Sequence, residues 1–206
     1  MKSKKNLIEQ LKSLPYFNKA TFCQLGNSYG LENSTMDTYI SRYLKSKEII
    51  QLKKGLYISS DFLNKNKSDV SYSFYLANTL RSPSYVSSWT ALQYYGLTTE
   101  SIYGVTSMTQ KVTRKYETKA GNFSYQSIQK ELFADFSLVK DKFDFFIASP
   151  SKALFDLLYS RTKQFRGITF EMIDPMVEDL RIDIDEMNKE EREKFYQMIK
   201  IYLKHE

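Results

Sequence analysis

The stretch that decides the fold reads ENSTMDTYISRYLKSKEIIQLKKGLYI, residues 32–58. Its first half predicts a helix over residues 34–45, because apolar side chains recur at helical spacing and form one stripe that faces a core: Met36, Tyr39, Ile40, Tyr43 and Leu44. Ser34 and Asp37 fit a capping box, so we expect the helix to begin at Ser34. In the second half, apolar and polar residues alternate on either side of Lys54-Gly55, which predicts a short hairpin with a basic tip.

The opposite face of this helix carries hydroxyl side chains and then cations: Thr35, Thr38, Ser41, Arg42 and Lys45. A polar helix face followed directly by a basic hairpin is typical of a winged helix-turn-helix that binds double-stranded DNA. The helix would then enter the major groove, where Arg42 can pair with O6 and N7 of guanine. Ser34 and its backbone N–H can bind a phosphate at the helix N terminus. Further phosphate contacts are expected from Lys19, Lys45, Lys53 and Lys54.

Positive charge is concentrated in the part of the chain that contains this stretch. The 206 residues carry a formal net charge of +6. Residues 1–67 contain 12 Lys and Arg and 5 Asp and Glu, a net charge of +7, while residues 68–206 contain 18 and 19, a net charge of −1. A basic module joined to a nearly neutral one favours contact with nucleic acid, although a solubilising surface would show the same excess.

The sequence also indicates where the protein works. No apolar run approaches the length of about 18 residues that a transmembrane helix needs, and polar residues interrupt the basic start MKSKKNLIEQLKSL, which does not resemble a signal peptide. The single cysteine, Cys23, excludes an internal disulfide framework. We therefore expect a cytoplasmic protein that does not contact a membrane.

Patterns typical of catalytic and metal sites are missing from the sequence. The one histidine, His205, is the penultimate residue, so we do not expect it in a catalytic arrangement. Neither a zinc-ligand spacing nor a glycine-rich phosphate-binding loop is present. We therefore expect no enzymatic activity, no cofactor and no metal.

One enzymatic alternative stays open. Residues 181–185 read RIDID, and a strand here would place Asp183 and Asp185 on one face. Such a pair could hold Mg²⁺ in an enzyme that acts on nucleic acid. An exposed strand or loop ahead of a helix is the simpler interpretation.

The fold class that we predict is α+β, with two domains. Residues 1–60 would form the winged helix-turn-helix, with helices over 3–14 and 19–28, the second capped by Asn18, ahead of the helix over 34–45. Residues 60–68 are polar and lack periodicity, so we place the boundary there. Residues 69–206 would form a mixed α+β domain with a small antiparallel sheet. Its strands are expected near 104–110, 111–118, 123–127, 137–140 and 143–148, followed by a helix from Pro150, a break at Pro175 and a last helix over 188–204.

Three places resemble the AbiEi antitoxin family of abortive-infection toxin–antitoxin systems, within about residues 15–160. The first is the wing ending Lys54-Gly55-Leu56-Tyr57. The others are Tyr85-Val86-Ser87 with Ala91-Leu92 and Gly96-Leu97, and Ala148, Pro150, Lys152-Ala153-Leu154 and Asp156-Leu157-Leu158. The family often has glycine just before the wing, where this chain has Glu48. Lys152 and Asp156 are four residues apart, and we expect an exposed or half-buried ion pair between them.

The resemblance implies a phage-defence function in two parts. The N-terminal winged helix would bind operator DNA of its own operon as a repressor. The second domain would counter a toxin with a nucleotidyltransferase fold, as a type IV antitoxin that forms no stable complex with it. The alternative is an ordinary DNA-binding transcriptional regulator whose C-terminal domain binds a ligand or a partner.

Overall fold

This computed structural model describes residues 2–204, and the side chains of residues 7–204. Within these residues the chain is a mixed α+β protein with nine α-helices and two β-sheets. It divides into two compact units. The first comprises the chain up to Tyr72 together with Tyr116–Gly121, and the second comprises Ser73–Lys115 and the chain from Asn122 onwards.

The first unit begins with helices and a three-stranded antiparallel sheet in the order β1-β3-β2. The elements are α1 Lys2–Leu11, β1 Phe17–Asn18, α2 Lys19–Ser28, α3 Met36–Lys45, β2 Ile49–Lys53, β3 Leu56–Ser59 and α4 Ser60–Asn66. The predicted cap of α2 is confirmed, because the Asn18 side chain accepts a hydrogen bond of 2.8 Å from the Thr21 N–H. The predicted hairpin is also confirmed, with Gly55 at φ 77° in its turn, a conformation that glycine adopts without strain.

The apolar stripe of α3 packs as predicted. Met36 and Ile40 are buried together with residues of the other elements in one cluster, which includes Leu7, Leu11, Phe17, Phe22 and Ile49. Gly26 leaves room for the end of the Met36 side chain, because a Cβ atom built there would lie 2.3 Å from Cε of Met36. This core therefore fixes the orientation of α3 and leaves its polar side outward.

The start of α3 differs from the prediction, whereas its end at Lys45 agrees with it. A 3-10 turn, Asn33–Thr35, precedes the helix, which begins at Met36. The Ser34 hydroxyl donates to a carboxylate oxygen of Glu32 at 3.3 Å, so the predicted capping box is wrong. At the other end, Lys47 has a φ of 62° and the Glu48 N–H donates to the Tyr43 carbonyl at 3.0 Å. This is a Schellman end in which Lys47 is the left-handed residue.

After α4 the chain forms the remaining helices and a six-stranded sheet in the order β6-β7-β5-β4-β9-β8. The elements are α5 Val70–Leu80, β4 Tyr85–Val86, α6 Ser88–Tyr94, β5 Val105–Thr109, β6 Arg114–Thr118, β7 Gly121–Ser127, β8 Phe136–Val139, β9 Phe145–Ala148, α7 Pro150–Arg161, α8 Ile173–Asp179 and α9 Lys189–Lys204. The five predicted strands are present. The sheet is not small and antiparallel, however, because β4 pairs with β9, and β5 with β7, in parallel.

Four other expectations fail or fall outside the described residues. Pro175 does not break a helix but lies in the first turn of α8, where its missing N–H is tolerated. Residues 60–66, polar and without periodicity, are helical as α4, and the Ser59 side chain caps them through the Phe62 N–H at 3.0 Å. The stretch with Asp183 and Asp185 is a loop between α8 and α9 rather than a strand. His205 lies outside the described residues.

Among the helices of residues 2–204, none has both the length and the apolar character that crossing a bilayer requires.

Candidate nucleic-acid interface

The outward face of α3 presents a continuous set of polar side chains. Met36 and Ile40 are buried on the inner side, so the residues half a turn away must point outward. The predicted base-facing and cationic residues at these positions are exposed: Thr38, Ser41, Arg42 and Lys45. The structure therefore brings together on one surface the side chains that the sequence grouped by periodicity.

The turn ahead of α3 uses its hydroxyl groups locally. Ser34 is exposed and donates to the Glu32 carboxylate, while Thr35 is half-buried and donates to the Glu32 backbone carbonyl at 2.8 Å. Both hydroxyl oxygens remain acceptors, but their protons are engaged. The DNA contacts predicted for Ser34 and Thr35 would therefore compete with the hydrogen bonds that shape this turn.

The hairpin adds cationic side chains to the first unit. Lys53 ends β2 and is half-buried, and Lys54 is exposed in the turn beside Gly55. The register shifts between Gln51 and Lys53, which marks a bulge just before the tip. Bulges re-aim the side chains that follow them, so this one sets the direction of the tip lysines.

Lys19 has an acidic partner that sequence reasoning missed. Its Nζ lies 2.6 Å from Oδ1 and 2.8 Å from Oδ2 of Asp37, so the first turn of α2 is joined to the first turn of α3. The hydrogen bond with Asp37 raises the pKa of Lys19. Both side chains are exposed, so the pair contributes little to stability. The effect of the pair is electrostatic. It places the Asp37 carboxylate beside the outward face of α3, and it engages Lys19, which the sequence predicted to contact a phosphate.

The second unit contains a buried polar cluster. Lys152 Nζ lies 2.6 Å from Oδ1 of Asp156, and the hydroxyls of Tyr85 and Ser87 donate to its Oδ2 at 3.0 and 2.7 Å. The side chains of Lys152 and Asp156 are 2% and 0% exposed, so the prediction of an exposed or half-buried pair is wrong. Burial raises the pKa of Asp156, and the Lys152 ammonium and the two hydroxyl donors oppose that effect.

This cluster connects two of the places that carry the family resemblance. Tyr85 and Ser87 lie in and just after β4, whereas Lys152 and Asp156 lie on α7. Every residue from Ser151 to Tyr159 is buried, which spacing of four residues alone could not reveal. The cluster holds the sheet to the helix.

The two acids of the RIDID stretch each have a local partner. Asp185 forms an ion pair of 2.7 Å with Arg192 of α9, and Asp183 accepts from the Glu186 N–H at 3.3 Å. In the part of the chain that the structure describes, no group of three or more His, Cys, Asp or Glu side chains is arranged to hold a metal ion.

Comparisons with known proteins give no family for this chain. No family model matches it, and no curated protein matches it significantly.

Proposed function

We propose that this protein is a transcriptional autorepressor and antitoxin of the cytoplasm. Its first unit acts as a winged helix-turn-helix that binds operator DNA of its own operon. Its second unit counters a nucleotidyltransferase-like toxin without a stable complex. The observation that carries the DNA-binding part is the exposed polar face of α3, which includes Arg42 and is followed directly by a basic hairpin.

In this proposal α3 lies in the major groove. Its hydroxyl side chains, Thr38 and Ser41, contact base edges or phosphates, and Arg42 donates two parallel hydrogen bonds to O6 and N7 of a guanine. A bidentate guanidinium contact is directional, and this supplies sequence discrimination. The first turn of α3 would supply backbone N–H groups to a phosphate.

The lysines serve a different purpose from Arg42. Lys45, Lys53 and Lys54 would contact phosphates, which fix the position of the protein on the duplex without reading sequence. Lys19 would do so only by exchanging Asp37 for a phosphate. The excess positive charge of residues 1–67 supports this assignment.

Arg42→Ala tests the base contact. We expect it to remove about 1–3 kcal/mol of discrimination at one base pair of the operator, while binding to unrelated DNA changes little. Fluorescence anisotropy with single-base-substituted duplexes from the region upstream of the gene measures both quantities. An equal loss of affinity for every substituted duplex would show that Arg42 contacts a phosphate and not a base. Unchanged affinity for every duplex would show that Arg42 does not contact the DNA.

Asp37→Asn tests the Lys19–Asp37 pair. We expect stronger binding to duplexes of every sequence and a steeper salt dependence, by about one unit in the log–log slope, because Lys19 becomes free to contact a phosphate. Asp61→Asn is the matched control, since Asp61 also pairs with a lysine of the first unit, Lys12, at 3.0 Å. If both variants gain the same affinity for DNA, the gain comes from the change in net charge and not from the position of Lys19.

The antitoxin part is supported by the family resemblance, and it has its own test. A nucleotidyltransferase-like toxin encoded beside this gene is expected, and co-expression of the full chain should restore growth. The Arg42→Ala variant should still restore growth while losing repression of an operon reporter. Loss of rescue in that variant at equal protein level would argue that repression alone accounts for the protection.

A cavity in the second unit favours the alternative, a DNA-binding regulator whose second domain responds to a ligand. The cavity measures about 600 Å³, within the range of about 300–1,000 Å³ typical of small-molecule sites. Its walls allow the ligand class to be inferred.

A further inference from the structure

The cavity lies within the second unit and is largely apolar. Leu132 of the 3-10 turn Lys130–Leu132, Phe155 of α7, and Met198 and Tyr202 of α9 form its walls. The rings of Phe155 and Tyr202 are 5.9 Å apart at 75°. A cavity with aromatic walls and a flexible methionine side chain suits a planar ring. Such a ring is stabilised by edge and face contacts with aromatic side chains and by contacts with sulfur.

One buried lysine contributes to the wall of the cavity. Lys152 lines the cavity, is 2% exposed, and holds its ammonium 4.9 Å from the centre of the Phe155 ring. An ammonium has three N–H donors, and among the described residues the hydrogen-bond acceptor of Lys152 is Oδ1 of Asp156. Because Asp156 also accepts from Tyr85 and Ser87, it holds the ammonium in place while donors remain for a further acceptor.

Charge decides which acceptor fits. Asp156 already offsets the charge of Lys152, and two exposed acidic residues, Glu131 and Asp135, also line the cavity. Asp135 is paired with Lys194 at 2.8 Å, which leaves the Glu131 carboxylate as the excess charge among these groups. A ligand carboxylate would therefore meet repulsion, whereas an uncharged carbonyl accepts a hydrogen bond from Lys152 without adding charge.

We propose that this cavity binds an uncharged aromatic or heteroaromatic molecule that carries a carbonyl acceptor. The carbonyl oxygen accepts from the Lys152 ammonium, and the ring packs against Phe155, Met198 and Tyr202. The cavity belongs to the second unit, whereas α3 belongs to the first, so its test requires no DNA.

Three matched probes test the ligand class on the full chain: indole-3-carboxamide, indole and indole-3-carboxylate. The carboxamide should bind most tightly. Indole should bind about ten- to a hundredfold more weakly, as expected for loss of a hydrogen bond to a charged group, and the carboxylate should also be weaker than the carboxamide. Isothermal titration calorimetry gives the three affinities. Equal affinities, tighter binding of the carboxylate, or no binding of any probe at its solubility limit would overturn the proposal.

Methyl NMR locates the site without any substitution. The carboxamide should shift the methyl signals of Leu132, Ala134, Met198 and Ile201, which line the cavity, and leave that of Met172 unchanged. Met198→Trp should abolish binding by filling the cavity. Gln197→Trp, which adds the same ring at the neighbouring exposed position of α9, should leave the affinity unchanged. Shifts outside the lining, or equal affinities for both variants, would show that the probe binds elsewhere.

Discussion

Lys152→Met is expected to lower the free energy of unfolding of the second unit by about 3–5 kcal/mol, because it leaves the Asp156 carboxylate buried without its cation. Asp156 is itself 0% exposed, so bulk solvent does not solvate its carboxylate directly. Tyr85 and Ser87 would still donate to the carboxylate, but two hydroxyls do not balance a full charge. Urea unfolding followed by the fluorescence of Trp89, the single tryptophan and a residue of α6 in this unit, measures the change.

Two further variants separate burial from pairing. Lys152→Met combined with Asp156→Leu removes both charges, so we expect it to regain much of the loss, with a remainder from the orphaned hydroxyls of Tyr85 and Ser87. Lys140→Met is the matched control, because Lys140 pairs with Asp144 at the same spacing and at a similar distance, 2.9 Å, but is 77% exposed. It should cost less than about 1 kcal/mol. Equal losses for Lys152→Met and Lys140→Met would contradict the role given to the buried cluster.

Lys53→Ala combined with Lys54→Ala is expected to weaken binding to every duplex alike and to lower the log–log salt slope by about one to two units. Each lysine that contacts a phosphate releases close to one counterion, so the slope counts contacts directly. Discrimination between operator and unrelated DNA should persist, because the proposal assigns the base contacts to α3. Anisotropy titrations at several salt concentrations give both the slope and the ratio of affinities.

Lys65→Ala combined with Lys67→Ala is the control for this experiment. Both lysines are exposed in the first unit, in or just after α4, and their removal changes the net charge by the same amount. The slope should then stay close to that of the unmodified protein. A similar fall of the salt slope in both double variants would mean that the hairpin lysines do not contact the DNA phosphates directly.

Periodicity predicted the parts of the fold in which one face of an element is buried. The stripe from Met36 to Leu44 and the alternation around Gly55 gave α3 and the hairpin, because the side chains that repeat are those that pack. β4, with two residues, is too short to show any period. The helix α4 shows none either, although the Ser59 cap and the buried Leu63 stabilise it.

The candidate site was predictable only where it depends on a single element. The exposure of Thr38 and Arg42 follows from the burial of Met36 and Ile40 on the same helix. Lys19 and Asp37 are 18 residues apart, and their pairing depends on how α2 and α3 pack. The burial of Lys152 and Asp156 likewise depends on elements far away in the chain, since β4 supplies Tyr85, 71 residues before Asp156.

Methylation interference tests the central claim, that α3 reads the major groove through Arg42, most directly. The duplex is the region upstream of the gene, methylated at guanine N7 in the major groove and at adenine N3 in the minor groove. The account predicts that methylation of one guanine N7 in each site blocks binding of the unmodified protein and no longer matters for Arg42→Ala. Interference confined to adenine N3, or a guanine pattern that Arg42→Ala leaves unchanged, would contradict it.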